Sequence, residues 1–226
     1  MSRGERILVV AAHPDDDVLG CGGTMARHVD AGAEVGVIYC TNGEGSREDS
    51  NQTREKERND AAREAAQSLG IEVQAALALP DNSLDTIPFL ELVKLIENEV
   101  RCYNPSTIYT HFSGDLNIDH RLVAQAVMTA ARPQPGCNVK NIYSYEVPSS
   151  TGWAWVSPST HFVPTKFIEI TNFWHKKKAA LEKYVDELRP YPHARSLEAI
   201  EALARWRGAS MGLAMAEAFI VEREIV

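Results

Sequence analysis

The residues most able to do chemistry in this 226-residue chain stand together near its start, as His13-Pro14-Asp15-Asp16-Asp17. They follow the apolar run Ile7 to Ala12, which reads as a buried strand. In open parallel sheets, ligands gather where strands end at their carboxyl edge, so the loop stands where a site belongs. Pro14 stiffens the turn. His13 and Asp16 can then converge on one point, and imidazole nitrogen and carboxylate oxygen are both ordinary zinc ligands. Asp15, between them in sequence, could face a metal-activated water without touching the metal. The same residues have a plainer reading, since proline followed by acids also opens a helix and favours its positive end. A second loop, Phe112 to His120, leaves the strand Thr107–His111 on the same sheet edge. His120 is a candidate third ligand, and two histidines with one carboxylate form a recognised catalytic zinc set. A lone histidine at a helix start is usually structural; combined with the first loop, the metal reading is favoured.

These residues sit on alternating elements. The patterning predicts strands at Ile7 to Ala12, Glu34 to Cys40, Val73 to Leu79 and Thr107 to His111. Helices are predicted at Val18 to Ala31, Arg54 to Leu69, Phe89 to Cys102 and His120 to Ala131. Further on, strands are expected at Asn141 to Glu146 and Phe167 to Ile170, and helices at Trp174 to Leu188 and Leu197 to Ala218. The βαβα order implies an α/β fold, a mostly parallel central sheet covered on both faces. The length and the lack of a low-complexity linker suggest one domain over 1–226.

The bulk numbers exclude some classes. A net charge of −8 argues against a nucleic-acid surface, which needs clustered cations. The basic run Lys176 to Lys178 reads as a solvated helix face. No apolar run is long enough to span a bilayer, and no signal-peptide pattern opens the chain. The four cysteines have neither zinc-knuckle nor redox spacing. They read as reduced thiols, as expected of a cytoplasmic protein. Gly20-Cys21-Gly22-Gly23 invites a dinucleotide-binding reading but begins eight residues beyond Ala12, with Met25 out of register for a third glycine. These glycines more simply let a helix pack close to the sheet. A Walker A sequence is absent.

Ala12-His-Pro-Asp-Asp-Asp17 resembles the Ala-His-Pro-Asp-Asp-Glu signature of the LmbE-like (PIG-L) N-deacetylases, and Asp119-His120 resembles their second motif. The resemblance extends to Thr41-Asn-Gly-Glu44, Arg58 before Leu69-Gly70, Arg132-Pro133 and Pro192-His-Ala-Arg-Ser196. It implies a Rossmann-like three-layer sandwich, one zinc ion per chain, and hydrolysis of an N-acyl group, typically acetyl on an amino sugar. By the match of motifs, His13, Asp16 and His120 are the implied metal ligands, Asp15 the general base, and Arg58 a substrate contact. Asp17 replaces the usual Glu. Asn117 stands where many members carry the first His of His-x-Asp-His. Asparagine can donate a hydrogen bond but cannot cycle a proton near neutral pH. His193, in a proline-bounded loop, is the candidate replacement acid, with His111 the other; Asn117 and His111 are also candidates for orienting substrate.

Asp119 is expected beside the ligands or as a helix cap. Trp153, Trp155 and Tyr191 could wall a sugar ring, while His28, His161 and His175 read as structural. The expected partner is a small amino-sugar substrate, with homo-oligomerisation left open. The readings that compete are a non-catalytic metal- or nucleotide-binding module and an amidase for a thiol-sugar conjugate.

Overall fold

The computed structural model describes residues 4–43, 45 and 52–226. Strands β1 (Arg6–Ala11), β2 (Glu34–Thr41), β3 (Glu72–Leu79), β4 (Thr107–His111) and β5 (Asn141–Tyr145) pair in parallel. β6 (Lys166–Glu169) and β7 (Ala216–Arg223) complete one seven-stranded sheet in the order β3-β2-β1-β4-β5-β7-β6, with β7 antiparallel to both neighbours. The strand order turns back between β1 and β4. That is the switch point at which open α/β sheets bind ligands.

The unbroken apolar run of β1 has a direct cause. Ile7, Val9 and Ala11 enter one core, while Leu8 and Val10 enter another. The first core receives α1 (Asp16–Asp30), α2 (Gln52–Leu69), α5 (Trp174–Leu181) and α6 (Leu197–Ala209). The second receives α3 (Phe89–Tyr103) and α4 (Ile118–Ala130) through Leu92, Ile96, Val123 and Val127. Full burial of each such side chain contributes about 1.5–3 kcal/mol. The three-layer α/β architecture expected from the alternation is the one observed. No helix among the described residues is long and apolar enough to cross a membrane.

The second half departs from expectation at three places. The helix read from Leu197 to Ala218 ends at Ala209, and its last residues open strand β7. Gly212 takes a φ of 73° in the intervening turn, a conformation that favours glycine. The strand pattern is obscured because Glu217 is buried in line with Ala216 and Ala218. The helix expected through Leu188 stops regular α-structure at Leu181 and continues as turns. Within the basic run, Lys177 is only 3% exposed, so its middle lysine does not belong to a solvated face, while Lys178 is exposed.

Candidate metal centre

β1 ends at Ala11, and the chain turns at once. Asp16 N–H donates to the His13 carbonyl at 3.3 Å, and His13 N–H donates to Asp16 Oδ2 at 3.0 Å. Asp15 takes a φ of 118° at this turn. A non-glycine residue in that region stores strain of order 1–3 kcal/mol, and such residues gather at functional sites. The turn brings His13 Nδ1 to 3.0 Å from Asp16 Oδ2. From the start of α4, His120 Nε2 lies 3.2 Å from the same oxygen and 3.3 Å from His13 Nδ1. All three side chains are buried. Two ligands bonded to zinc at about 2.0–2.1 Å in tetrahedral geometry stand roughly 3.3 Å apart, so this triangle has the size of a metal face. Asp16 Oδ1 is buried without a hydrogen-bond partner, a further acceptor at the same place. His13, Asp16 and His120 could therefore hold a cation.

The electrostatics favour positive charge there. Burial lowers the pKa of His120, but Asp16 and Asp115 outweigh it and hold the imidazole at about 9. His13 is likewise raised, against burial, by Asp16, Asp119 and Asp81. Asp16 is held well below the usual carboxylate range because His120 and His13 outweigh its burial.

Each histidine is oriented through its other nitrogen. His13 Nε2 meets Asp81 Oδ1 at 3.1 Å and Asp119 Oδ2 at 3.3 Å. His120 Nδ1 meets Asp115 Oδ1 at 3.2 Å. Asp119 is fixed in turn by the Leu84 N–H at 3.1 Å, and Asp115 by Ser150, Thr151 and the Asn117 N–H. Carboxylates on the far nitrogen set the tautomer and ring direction of metal-binding histidines. Asp81 and Asp115 were not singled out from sequence. Both follow the carboxyl ends of parallel strands, β3 and β4, and that placement was the available signal.

Asp15 is fully enclosed beside this triangle. Its Oδ2 accepts from Arg195 Nη1 at 3.0 Å, and its Oδ1 lies 3.4 Å from Arg58 Nη2. Arg58 also donates to the Pro14 carbonyl at 2.8 Å and pairs with Glu187, which pairs with Arg195 at 2.8 Å. Burial pushes Asp15 up to about 6, although Arg195 and Arg58 pull it down. Arg58 thus faces Asp15, not the open cleft. Arg195 lies in the Pro-His-Ala-Arg-Ser segment but was not predicted to reach Asp15.

The open cleft measures about 410 Å³ and is lined by His120, Asn117, Ser150, Trp153, Arg189, His193 and Arg195, among others. His193 accepts the Arg195 N–H on Nδ1 at 3.0 Å, and its ring meets the Trp153 indole edge-on at 5.3 Å. Nδ1 being an acceptor leaves Nε2 as the protonated nitrogen in the neutral ring. Asn117 caps α4 by accepting the Asp119 N–H at 2.8 Å and donates to Asn82 at 2.9 Å. Asp119, expected beside the ligands or as that cap, is the former.

Other expected site residues lie elsewhere. His111 is fully buried and absent from the cleft wall. Its Nε2 accepts the Ala12 N–H at 2.8 Å, and its ring stacks on His120 with centroids 3.9 Å apart. From there it supports His120 from beneath, and burial and His120 lower its pKa. Trp155 and Tyr191 stand exposed outside the lining. Asp17 turns away to accept from Tyr39 Oη at 3.1 Å, and burial pushes it up to about 7. Glu44, from the Thr41-Asn-Gly-Glu44 motif, lies outside the described residues.

Fold and site together define an α/β protein with a candidate metal centre at the switch point of its sheet and a buried carboxylate beside it. The chain belongs to the PIG-L family: residues 8–131 match that family's model, described as GlcNAc-PI de-N-acetylase. An uncharacterized deacetylase of Escherichia coli K12, YaiS, is 31% identical over 187 residues, covering 79% of this chain and 89% of that protein. Among solved structures, N,N'-diacetylchitobiose deacetylase from Pyrococcus horikoshii superposes with a TM-score of 0.78 at 20% identity, covering 97% of this chain and 84% of that one. GalB, a 4-carboxy-2-hydroxymuconate hydratase from a Pseudomonas, gives 0.80 at 20% identity over 98% of both chains. At such identities the structural likeness establishes the fold alone.

Proposed function

We propose that this protein is a zinc-dependent N-deacetylase of an amino sugar or a related glycoconjugate. The observation that carries the reading is the buried convergence of His13, Asp16 and His120 with Asp15 beside them. His13, Asp16 and His120 would hold the ion, which when bound acidifies water and polarises the acyl oxygen. Asp15, buried and next to Asp16 in the chain, takes the proton of the attacking water as general base. Arg195 and Arg58 fix the direction of its carboxylate. His193 opens onto the cleft and delivers a proton to the leaving amine, the task Asn117 cannot perform. Trp153 offers a flat apolar wall to a sugar ring. The family description and the Pyrococcus enzyme's diacetylchitobiose support an N-acetylated sugar as the substrate class.

The test is acetate release from a panel of N-acetylated sugars and sugar conjugates, with and without a chelator. Release that stops on chelation and returns with zinc supports the reading. No release across the panel from zinc-loaded protein contradicts it, and the hydratase on the same fold then supplies the next assay, water addition to a carbon–carbon double bond.

A further inference from the structure

The Gly20-Cys21-Gly22-Gly23 stretch lies inside α1, and the buried Lys177 and Glu217 take no part in the proposed chemistry. The structure joins these features. α1 is not one continuous helix: Cys21 has φ −143° and ψ 22°, well outside helical values. In an unbroken helix the Gly23 and Thr24 N–H groups would donate to the Leu19 and Gly20 carbonyls. Instead they donate to Glu217 Oε1 at 3.0 Å and Oε2 at 2.7 Å. The Leu19 carbonyl accepts from Lys177 Nζ at 2.8 Å, and Lys177 Nζ meets Glu217 Oε1 at 2.6 Å.

The pair therefore bridges the break. The carboxylate caps the positive end of the downstream segment, and the ammonium caps the negative end of the upstream turn, as each helix dipole favours. Small residues make room for this. A Cβ on Gly22 would stand 3.2 Å from Lys177 Cγ, and one on Gly20 would stand 2.2 Å from the Tyr145 ring. The upstream turn is the functional one. It starts at Asp15, whose carbonyl accepts the Leu19 N–H at 2.9 Å, and it carries Asp16. Its far end is held by residues more than 150 positions away in sequence.

We propose that Lys177 and Glu217, bonded to each other and to the broken backbone of α1, are positioning residues that set the angle of the Asp15–Leu19 turn and so the aim of Asp16 and Asp15. The inference rests on the metal reading above. A generic ion pair would serve stability only; this one is defined by what each charge does to the backbone. Removing either partner frees the turn to rotate about Cys21 while the cores keep their packing.

The test uses full-length protein with zinc as the probe. In wild type, the Gly23 and Thr24 amides are expected to exchange slowly, and in Glu217→Gln roughly 100-fold faster. Competition with a chromophoric chelator should show zinc held about tenfold or more weakly by Lys177→Met and Glu217→Gln, the scale seen when supports of metal ligands are lost. At saturating zinc, kcat should fall with KM little changed. The exchanged pair K177E/E217K should not recover zinc affinity, because it sets an ammonium against two N–H groups and a carboxylate against a carbonyl. Recovery in that double variant, or folded single variants with zinc affinity equal to wild type, would overturn the proposal. Fast wild-type exchange at Gly23 and Thr24 would do so even if every variant failed to fold. Wild type that binds no zinc would sink the metal reading instead, a separate outcome.

Discussion

Asp15 is the residue on which the proposed chemistry turns. It is sequestered, strained at φ 118°, and held by two arginines on its two oxygens, yet it takes no place in the His13–Asp16–His120 triangle. That separation of base from ligand gives a sharp expectation. Asp15→Asn should keep its zinc and lose about 10²- to 10⁴-fold in turnover, read by metal analysis and acetate release on the same preparation; loss of the metal would move Asp15 into the ligand set. His193 is the residue the cleft offers for the opposite proton transfer. His193→Ala is expected to retain zinc and lower kcat by more than roughly tenfold, read by metal analysis and acetate release. Normal turnover in that variant would give the task to Asp15, acting as base and then as acid.

Among the elements, the loops after β1 and β4 do most of the positioning, and they were also the most legible. His13, Asp16 and His120 belong to short local motifs at strand ends, so sequence alone could nominate them. Arg195, Glu187 and Asp81 could not be placed the same way, because their partners lie across the fold: Arg195 reaches Asp15 from 180 positions away. The same limit explains β7 and Lys177. A buried glutamate spoils the alternation of a strand, and a buried lysine in a basic run looks solvated, until the break in α1 shows that the two satisfy each other and the backbone. The carboxylates behind the histidines carry an element-level prediction. Asp115→Asn, at the loop after β4, is expected to weaken zinc binding about 10- to 100-fold while leaving the fold intact. Asp119→Asn should do the same through His13. Unchanged zinc affinity in both would mean that ring orientation is set by packing alone.

At the scale of the molecule, the sheet order places the β1 and β4 loops side by side, and two cores hold that edge rigid. The α/β class and the parallel half of the sheet followed from the alternation of elements; the antiparallel edge, β7 with β6, did not. Because His13, Asp16 and His120 come from both sides of the switch point, an ion bound there would tie the β1 loop to α4 and stabilise the folded chain by mass action. Zinc at 100 times its Kd should add about 2.7 kcal/mol. A chelator is therefore expected to lower Tm and added zinc to restore it, by calorimetry. A Tm indifferent to both would show that no ion links these elements.

The central claim is that His13, Asp16 and His120 together hold one zinc ion. It is tested most directly by measuring zinc per chain, by mass spectrometry of metal-reconstituted and desalted protein, in wild type and in His120→Ala and His13→Ala. The account predicts roughly one zinc per chain in wild type and none held stoichiometrically in either variant, since losing one of three protein ligands leaves the site incomplete. Equal zinc in wild type and in a correctly folded His120→Ala protein would contradict it.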